Sequence, residues 1–411
     1  MAKSVGRKVF RSNVSSRKRK ARKAAKVVLV IIVLAALVFL GYCVASPVFE
    51  YFSDRGGDTS LAEETKPWTP PVSQDADEGG DAENGTEDDP GSHSGSNDEQ
   101  KKPDQGRFSA YRLPVSALTS QVALSEALST AKEGGYTAVI AVLKDKGGKL
   151  YYNTGSDMAK SDESAVVGSM YAGQICGMIK SAGFTPIAEI NLLEDNNRYG
   201  ENRDGSYHFA SDKSTWLDNS VANGGKPWLS PFDNDTQSYA AYLSNEAAEA
   251  GFEYVVFDGL TFPNFRNSDL VHIGAMVQSA DRYKALINIE NISVGASATV
   301  GSTPIVMTSA ADIIAGTAEV FKPSELSSEM IAVTYSPSEF GGTMIINGQE
   351  LALSDLTVYE TAETVFGEIK RLAGEGKIIV PAVKQSDFSQ SDFNDVISAA
   401  ISLGLDSYII M

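Results

Sequence analysis

An α/β fold, in which eight βα units close into a (β/α)8 TIM barrel, is predicted for residues 107–411 of this 411-residue chain. Three observations predict it. First, four stretches repeat an amphipathic helical segment, a glycine and a short apolar run: AKEGGYTAVIAVL, IKSAGFTPIAEI, AEAGFEYVVF and SLGLDSYIIM. Second, glycine just past a helix supplies a left-handed C-cap, and strands that alternate with helices imply a parallel sheet. Third, the length of this part of the chain matches the roughly 250–300 residues of eight βα units.

Eight short apolar runs are the predicted strands, because a strand that is buried on both faces is apolar throughout. They are Phe108–Arg112, Ala138–Leu143, Pro186–Asn191, Tyr254–Asp258, Ala285–Glu290, Ile331–Tyr335, Ile378–Val383 and Ser407–Met411. Asp235 and Ser354 are the predicted N-caps of the helices before the fourth and seventh strands. The main alternative is an open doubly wound sheet. Such a sheet usually carries a glycine-rich phosphate turn after its first strand, and Pro114-Val115-Ser116 stands there instead.

The N-terminal part of the chain has the pattern of a membrane anchor. Residues 1–26 hold eleven Lys or Arg and no acidic residue, and the apolar run Val27–Ala45 holds no charge. A run of this length approaches the ~20 residues that span a bilayer core, and basic residues stay on the cytoplasmic side. We therefore predict a basic cytoplasmic segment over 1–26 and a signal-anchor transmembrane helix over 27–46, with the rest of the chain outside the cell. A cleaved signal peptide is the alternative, although its apolar region would span only ~7–15 residues.

Residues 47–106 are predicted to be a disordered acidic linker. Between Val72 and Phe108 the only apolar side chains are Ala76 and Ala82. Such a stretch cannot bury enough surface to offset its conformational entropy, and its like charges extend it. We interpret it as a spacer that holds the domain away from the membrane.

The net charge of −18 and the residue types exclude several classes of function. Every acidic residue lies at Glu50 or beyond, so the body of the protein is acidic. Nucleic-acid binding is not expected, because phosphate contact needs a basic surface. Cys43 and Cys176 lie in different segments and the three histidines are scattered, so no disulfide scaffold and no metal site are predicted. No P-loop and no G-x-S-x-G motif appear, and no cofactor is expected.

Candidate site residues follow from the rule that a (β/α)8 barrel carries its active site at the C-terminal ends of its strands. Acidic and polar residues stand at these ends on neighbouring strands: Lys144 and Asp145 at the second, Glu189, Glu194 and Asp195 at the third, Asp258 at the fourth, Asn288 and Glu290 at the fifth, and Tyr335 and Glu339 at the sixth. Paired carboxylates are what glycoside hydrolysis uses. Asp258 stands out because it closes an apolar run, where a buried charge needs a reason.

Several of the candidate residues, and two tryptophans, also have a structural interpretation. Trp216 and Trp228 could stack on a sugar ring, or each could pack in the core. Lys144 and Asp145 could bind substrate, or they could form an ion pair that closes the rim of the barrel. Acidic residues at loop starts commonly cap helices.

The run GFEYVVFDGLTFP, residues 251–263, resembles the putative glycoside hydrolase domain, a family of predicted TIM-barrel glycosidases often found behind a bacterial membrane anchor. Flanking segments resemble the family in order and spacing: AVLKDKGGKLYY (141–152), GFTPIAEINLLED (183–195), KPWLSPF (226–232) and IAVTYSPSEF (331–340). Asp258, Lys144 and Asp145 match the family pattern. The departures are as follows: the family arginine on strand three is Glu189, the tyrosine and arginine after the strand-four aspartate are Gly259 and Thr261, and the histidine after strand six is Glu339.

The resemblance implies a cell-surface glycosidase whose partner is a cell-envelope or extracellular polysaccharide. In this hypothesis Asp258 is the nucleophile or stabilising base, and Glu290 is the general acid. The remaining candidates would bind substrate or adjust a pKa: Glu189, Lys144, Asp145, Tyr335, Glu339 and Trp228. The departures leave open a second hypothesis, a catalytically inactive barrel that binds glycan, and a third, a structural envelope component.

Overall fold

The computed structural model describes residues 107–156, 165–196, 205–273, 282–316, 322–346 and 348–411. The predicted basic segment, transmembrane helix and acidic linker lie outside these residues. Within the described residues, no helix is both long enough and apolar enough to cross a membrane.

A closed barrel of eight parallel strands forms the centre of the described domain. The strands are β1 (Ser109–Arg112), β2 (Ala138–Lys144), β3 (Thr185–Asn191), β4 (Tyr254–Asp258), β5 (Thr303–Ser309), β6 (Met330–Tyr335), β9 (Ile378–Val383) and β10 (Tyr408–Ile410). Each strand pairs with the next one in this order, and β10 pairs with β1. A separate antiparallel hairpin, β7 (Thr343–Ile346) and β8 (Gln349–Ala352), follows β6. The predicted (β/α)8 barrel is confirmed, and closure excludes the open doubly wound sheet.

Helices alternate with the strands and cover the outside of the barrel. They are α1 (Gln121–Glu133), α2 (Ala172–Ser181), α3 (Asn234–Glu249), α4 (Asn267–Ile273), α5 (Arg282–Thr299), α6 (Ala310–Ala315), α7 (Val358–Ala373) and α8 (Gln390–Ser402). Short 3-10 turns lie at Val115–Thr119, Val221–Asn223, Pro323–Glu325, Pro337–Phe340, Leu353–Asp355 and Gln385–Asp387.

Both predicted N-caps are wrong by a few residues. Asp233 caps α3 and accepts a hydrogen bond from the backbone N–H of Asp235, so Asp235 lies in the first turn. Thr357 caps α7 in a reciprocal capping box with Glu360, and Ser354 lies in the preceding 3-10 turn. Acidic residues are favoured at the cap and throughout the first turn, because both positions face the positive end of the helix dipole.

The predicted fifth strand is also wrong, because Ala285–Glu290 lies inside α5 and the observed fifth strand is Thr303–Ser309. The buried residues of α5 show why. They recur at spacings of one, three and four residues, which is helical periodicity. They are Leu286, Ile289, Glu290, Ser293 and Ser297.

Side chains of the strands alternate between the barrel interior and the layer between strands and helices. Ala110, Ile187 and Val256 belong to the interior cluster, whereas Val255 and Phe257 belong to the outer one. Continued to the ends of the first, third and fourth strands, this alternation directs polar side chains into the open end of the barrel, which we call the mouth. They are Arg112 from β1, Glu189 and Asn191 from β3, and Asp258 from β4.

Candidate active site

A bidentate ion pair crosses the mouth. Arg112 donates from Nε to Oε2 of Glu189 at 2.7 Å and from Nη2 to Oε1 at 2.6 Å. Glu189 is 2% exposed, whereas the Arg112 side chain is 35% exposed. Two parallel charge-assisted hydrogen bonds fix both side chains in one plane. A guanidinium from strand one and a carboxylate from strand three therefore meet across the mouth.

Asp258 is the half-buried carboxyl at the end of β4. Its pKa is raised to about 6, first by burial and then by the negative charge of Glu189. Hydrogen bonds from the Gly259 backbone and the Asn191 side chain, together with the positive charge of Arg112, lower the pKa and offset part of this rise. Asp258 therefore changes protonation near neutral pH, unlike an exposed aspartate.

Asn191 holds Asp258 from the neighbouring strand, since the strand register places the two residues side by side. Its Oδ1 accepts a hydrogen bond from the backbone N–H of Glu194 at 3.1 Å, which leaves the amide nitrogen to donate to Asp258. Gly259 has a φ of +69°, and a Cβ there would collide with the Asn191 side chain. The glycine at the family tyrosine position thus leaves room for the asparagine.

Glu339 lies on the exposed 3-10 turn after β6, beside the mouth. Its Oε2 accepts a hydrogen bond at 3.0 Å from the hydroxyl of Ser309, the last residue of β5. The alternation along β5 directs Ser309 into the mouth, because Ile305 and Met307 belong to the interior cluster. Glu339 is therefore held over β5. This strand is the neighbour of β4, and β4 carries Asp258.

Lys144 and Asp145 both take structural contacts beside the mouth. Lys144 is 1% exposed, and its Nζ lies 3.1 Å from Oδ2 of Asp195, which is also 1% exposed. The same Nζ donates to the carbonyl oxygen of Asn191 at 2.7 Å. Lys144 is therefore unavailable to hold sugar hydroxyls, and the structural ion pair that closes the rim is formed with Asp195 rather than with Asp145.

Asp145 organises the turn after β2. Its Oδ1 accepts from the backbone N–H groups of Gly147 and Lys149 at 2.8 and 2.9 Å. Its Oδ2 accepts from the Tyr151 hydroxyl at 2.9 Å. These contacts support the structural interpretation of Asp145, and its predicted substrate contact stays a prediction.

Glu246 on α3 ties the segment after this turn to the helix layer. Its Oε2 accepts hydrogen bonds from the hydroxyls of Tyr152 and Thr154, each at 2.6 Å. Its Oε1 accepts from the Gly155 backbone at 2.5 Å. The chain after β2 is therefore anchored at two points, by Asp145 and by Glu246.

Tyr335 does not face the mouth, which corrects the sequence prediction. It is 1% exposed and belongs to the outer core cluster. Its ring packs against Phe340, Phe366 and Phe388 with centroid distances of 6.4, 5.2 and 6.2 Å. Thr334 is the β6 residue that faces inward, because Ala332 lies in the interior cluster.

The two tryptophans differ in burial. Trp216 is fully buried, and its Nε1 donates to Asp269 at 2.8 Å, so it is a core residue. Trp228 is half-buried, packs against the outer core and donates to Asp218 at 3.2 Å. Stacking of Trp228 on a sugar stays a prediction.

Glu290 is wrong as a general acid at the mouth. It lies on α5, it is fully buried, and its Oε1 accepts hydrogen bonds from the Ser327 backbone, the Ser327 hydroxyl and the Ser328 backbone at 3.0, 2.8 and 3.0 Å. These serines directly precede β6, which begins at Met330. The Glu290 carboxylate therefore binds the loop at the N-terminal end of β6, whereas the active site of a (β/α)8 barrel lies at the C-terminal ends of its strands.

Replacing this residue tests the structural role. Glu290→Gln should lower the free energy of unfolding by about 1–3 kcal/mol, since a neutral amide accepts hydrogen bonds more weakly than a carboxylate and its nitrogen would replace Oε2, which faces the backbone N–H of Ser327. Activity below the unfolding temperature should stay at the wild-type level. The exposed Glu249→Gln on α3 is the matched control. Loss of activity in a stable Glu290→Gln protein would contradict this assignment.

Arg112 and Asn191 are the mouth residues that the strand-end inspection of the sequence did not select. Arg112 would have been found if the rule had been extended to strand one, whereas Asn191 closes strand three, which was inspected for its acidic residues only. Among the residues that the structure describes, no group of His, Cys, Asp and Glu has the arrangement of a metal site.

A family model described as "Putative glycosyl hydrolase domain" matches residues 111–334. The chain belongs to this family. The match covers more than half of the chain and includes the strands that carry Arg112, Glu189 and Asp258. No curated protein sequence matches the chain.

Solved structures that are similar to this chain include two glycoside hydrolase domains. The PgaB (BpsB) glycoside hydrolase domain from Bordetella bronchiseptica is 13% identical, with a TM-score of 0.50 over 74% of this chain and 94% of that one. The PelA glycoside hydrolase domain from Pseudomonas aeruginosa is 12% identical, with a TM-score of 0.36 over 74% and 95%. A hypothetical protein from Ruminiclostridium thermocellum is 17% identical, with a TM-score of 0.39 over 48% and 96%. At 13% identity the likeness to the PgaB domain shows the fold alone.

Proposed function

We propose that this family member is a membrane-anchored, extracytoplasmic glycoside hydrolase that cleaves cell-envelope or extracellular polysaccharide by carboxylate acid/base catalysis. The observation that carries the proposal is the half-buried Asp258 at the mouth, with its pKa raised to about 6. A carboxyl with a raised pKa in a barrel mouth is suited to protonate the leaving oxygen of a glycosidic bond.

Two carboxyl groups take the catalytic roles in this proposal. Asp258 acts as the general acid, because burial keeps its proton available at mildly acidic pH. Glu339 replaces Glu290 as the second carboxylate, because it is exposed at the mouth and held by Ser309. It would attack the anomeric carbon or activate a water molecule. This reverses the role first expected for Asp258, that of nucleophile or stabilising base.

The location and substrate class rest on the sequence and the family. The basic residues 1–26 followed by the uncharged residues 27–45 support a single-pass anchor with the barrel outside the cell. A surface domain on an extended acidic linker can reach polymeric glycan near the membrane. The family description, a putative glycosyl hydrolase domain, supports the reaction class.

A glycan-binding barrel without catalysis is the second candidate. It is favoured by the number of carboxylates near the mouth that are already committed to internal contacts. Glu189 is paired with Arg112, Asp145 binds backbone N–H groups of its own turn, and Asp195 is paired with Lys144. In this second candidate function the barrel binds glycan without cleaving it, because Glu339 would not reach the sugar that Asp258 contacts.

The pH dependence of glycan hydrolysis tests the proposed function. The full chain is incubated with purified cell-wall and capsular glycans, and the release of reducing ends is measured from about pH 4, where carboxyl groups ordinarily titrate, to about pH 8, so that the range brackets the raised pKa of Asp258. The rate should fall as the pH rises through about 6, because Asp258 loses the proton that it must donate.

Two other outcomes would change the assignment. A rate that rises through the same pH range would return Asp258 to the role of nucleophile or base. No release from any glycan, together with capture of glycan by the immobilised chain, would favour the binding barrel.

A further inference from the structure

We propose that Arg112 is a positioning residue for Asp258. Arg112 holds the carboxylate of Glu189 in a fixed place across the barrel. As a result, Asp258 faces a pair of opposite charges rather than a lone carboxylate. This inference rests on the proposed function, since it assigns Asp258 as the group that reacts. It concerns a residue on β1 that the family pattern and the strand-end inspection of strands two to six leave unassigned.

The strand register explains how the pair forms. Arg112 pairs with Ile140 of β2, and Ile140 pairs with Ile187 of β3. Glu189 lies two residues further along β3, on the same inward face. Arg112 therefore reaches across β2 and toward the mouth, a span that suits a long side chain.

The ion pair is required by the burial of Glu189. A carboxylate that is 2% exposed loses almost all of its hydration, and removing its partner would leave an uncompensated charge. A guanidinium matches both oxygens at once, whereas a lysine ammonium binds as a point charge. The geometry thus fixes the orientation as well as the charge of Glu189.

The charges that face Asp258 act in opposite directions. The negative charge of Glu189 raises the pKa of Asp258, while Arg112 lowers it, and hydrogen bonds from Gly259 and Asn191 also lower it. Asp145 is the further acidic group that interacts with Arg112. Loss of Arg112 removes a lowering influence and leaves Glu189 unpaired beside Asp258.

Titration of Asp258 in the full chain tests the proposal directly. Aspartate is labelled with ¹³C at the carboxyl carbon, and the Asp258→Asn variant identifies the Asp258 resonance. Arg112→Met should shift the apparent pKa of Asp258 upward by about 1 unit, because a nearby positive charge is lost. Glu189→Gln should shift it downward, because a nearby negative charge is lost.

A matched control lies at the other end of β1. Arg107 pairs with Asp406 at 2.8 Å on the surface, with 79% of its side chain exposed. Arg107→Met removes the same charge and should leave the titration of Asp258 unchanged. If Arg112→Met does not fold, Arg112→Lys decides the question: it keeps the charge and loses the bidentate contact, and the titration of Asp258 should still move from the wild-type value.

An Asp258 titration that is identical to wild type in a folded Arg112 variant would overturn the proposal. This readout needs no substrate, so it is separate from the proposed function. Absence of glycan hydrolysis by the wild-type chain would overturn the proposed function and leave the charge arrangement around Asp258 as measured.

Discussion

Replacing Asp258 with asparagine should reduce kcat/KM for glycan hydrolysis by roughly 10²–10⁴-fold, the usual contribution of a positioned general acid. Asparagine keeps the size of the side chain and its contact with Asn191, but it has no proton to give to the leaving oxygen. The release of reducing ends by wild type and variant, measured on the same glycan, gives the ratio. Capture of glycan by the immobilised variant should remain, because the shape of the mouth is kept.

Two controls separate lost chemistry from lost structure. Asp395→Asn changes an exposed aspartate on α8 and should hydrolyse glycan at the wild-type rate. Asp258→Asn should be at least as stable as wild type above pH 6, because burial disfavours the ionised carboxylate there and asparagine carries no charge. Below about pH 4 Asp258 of the wild type is protonated in both the folded and the unfolded state, and this difference should vanish. Hydrolysis by Asp258→Asn at the wild-type rate would rule out a catalytic role.

The largest effect on stability is expected for Lys144→Met. Lys144 and Asp195 are each 1% exposed, so the substitution leaves a buried aspartate without its ion-pair partner. It also removes the donor to the Asn191 carbonyl oxygen. Breaking a buried pair from one side costs about 3–5 kcal/mol. The free energy of unfolding from urea denaturation should fall by this amount.

The surface pair Lys322 and Glu325 supplies the comparison. Its side chains are 67% and 46% exposed at a similar N–O distance of 3.1 Å, so Lys322→Met should cost less than about 1 kcal/mol. Adding Asp195→Leu to Lys144→Met should recover part of the loss, because both buried charges are then absent. Equal stability of Lys144→Met and Lys322→Met would show that the buried pair contributes no more than an exposed one.

Most of the barrel could be predicted because local sequence and tertiary structure agree there. Continuous apolar runs such as Tyr254–Phe257 become strands buried on both faces, and a glycine ends the helix before each of several strands. The prediction of a strand at Ala285–Glu290 was wrong because a short apolar run inside a helix has the same composition as a buried strand. Its helical spacing becomes visible only when the whole of Arg282–Thr299 is considered.

The mouth could be predicted only in part, because the strand-end rule gives the level of a residue in the barrel and not the face on which it lies. Asp258 and Glu189 fall on the inward face and lie where the rule places them. Tyr335 ends β6 on the outward face, and counting alternate residues from Ala332 would have shown this. The pairing of Arg112 with Glu189 joins residues 77 apart in sequence, and no local pattern predicts such a contact.

The contacts around the mouth are unevenly distributed, which matters for redesign. The chain after β2 is fixed by Asp145, by Glu246 and by the Lys144–Asp195 pair. The chain after β6 instead consists of an exposed turn and the β7–β8 hairpin, whose Ile345 is 64% exposed. Exposed loop tips tolerate substitution and insertion better than buried, hydrogen-bonded segments do. A library that aims at new glycan preferences would therefore vary the exposed residues within 341–346 and 348–352, keep Glu339 and the buried Met344 and Ile346, and leave the opposite rim as the invariant scaffold.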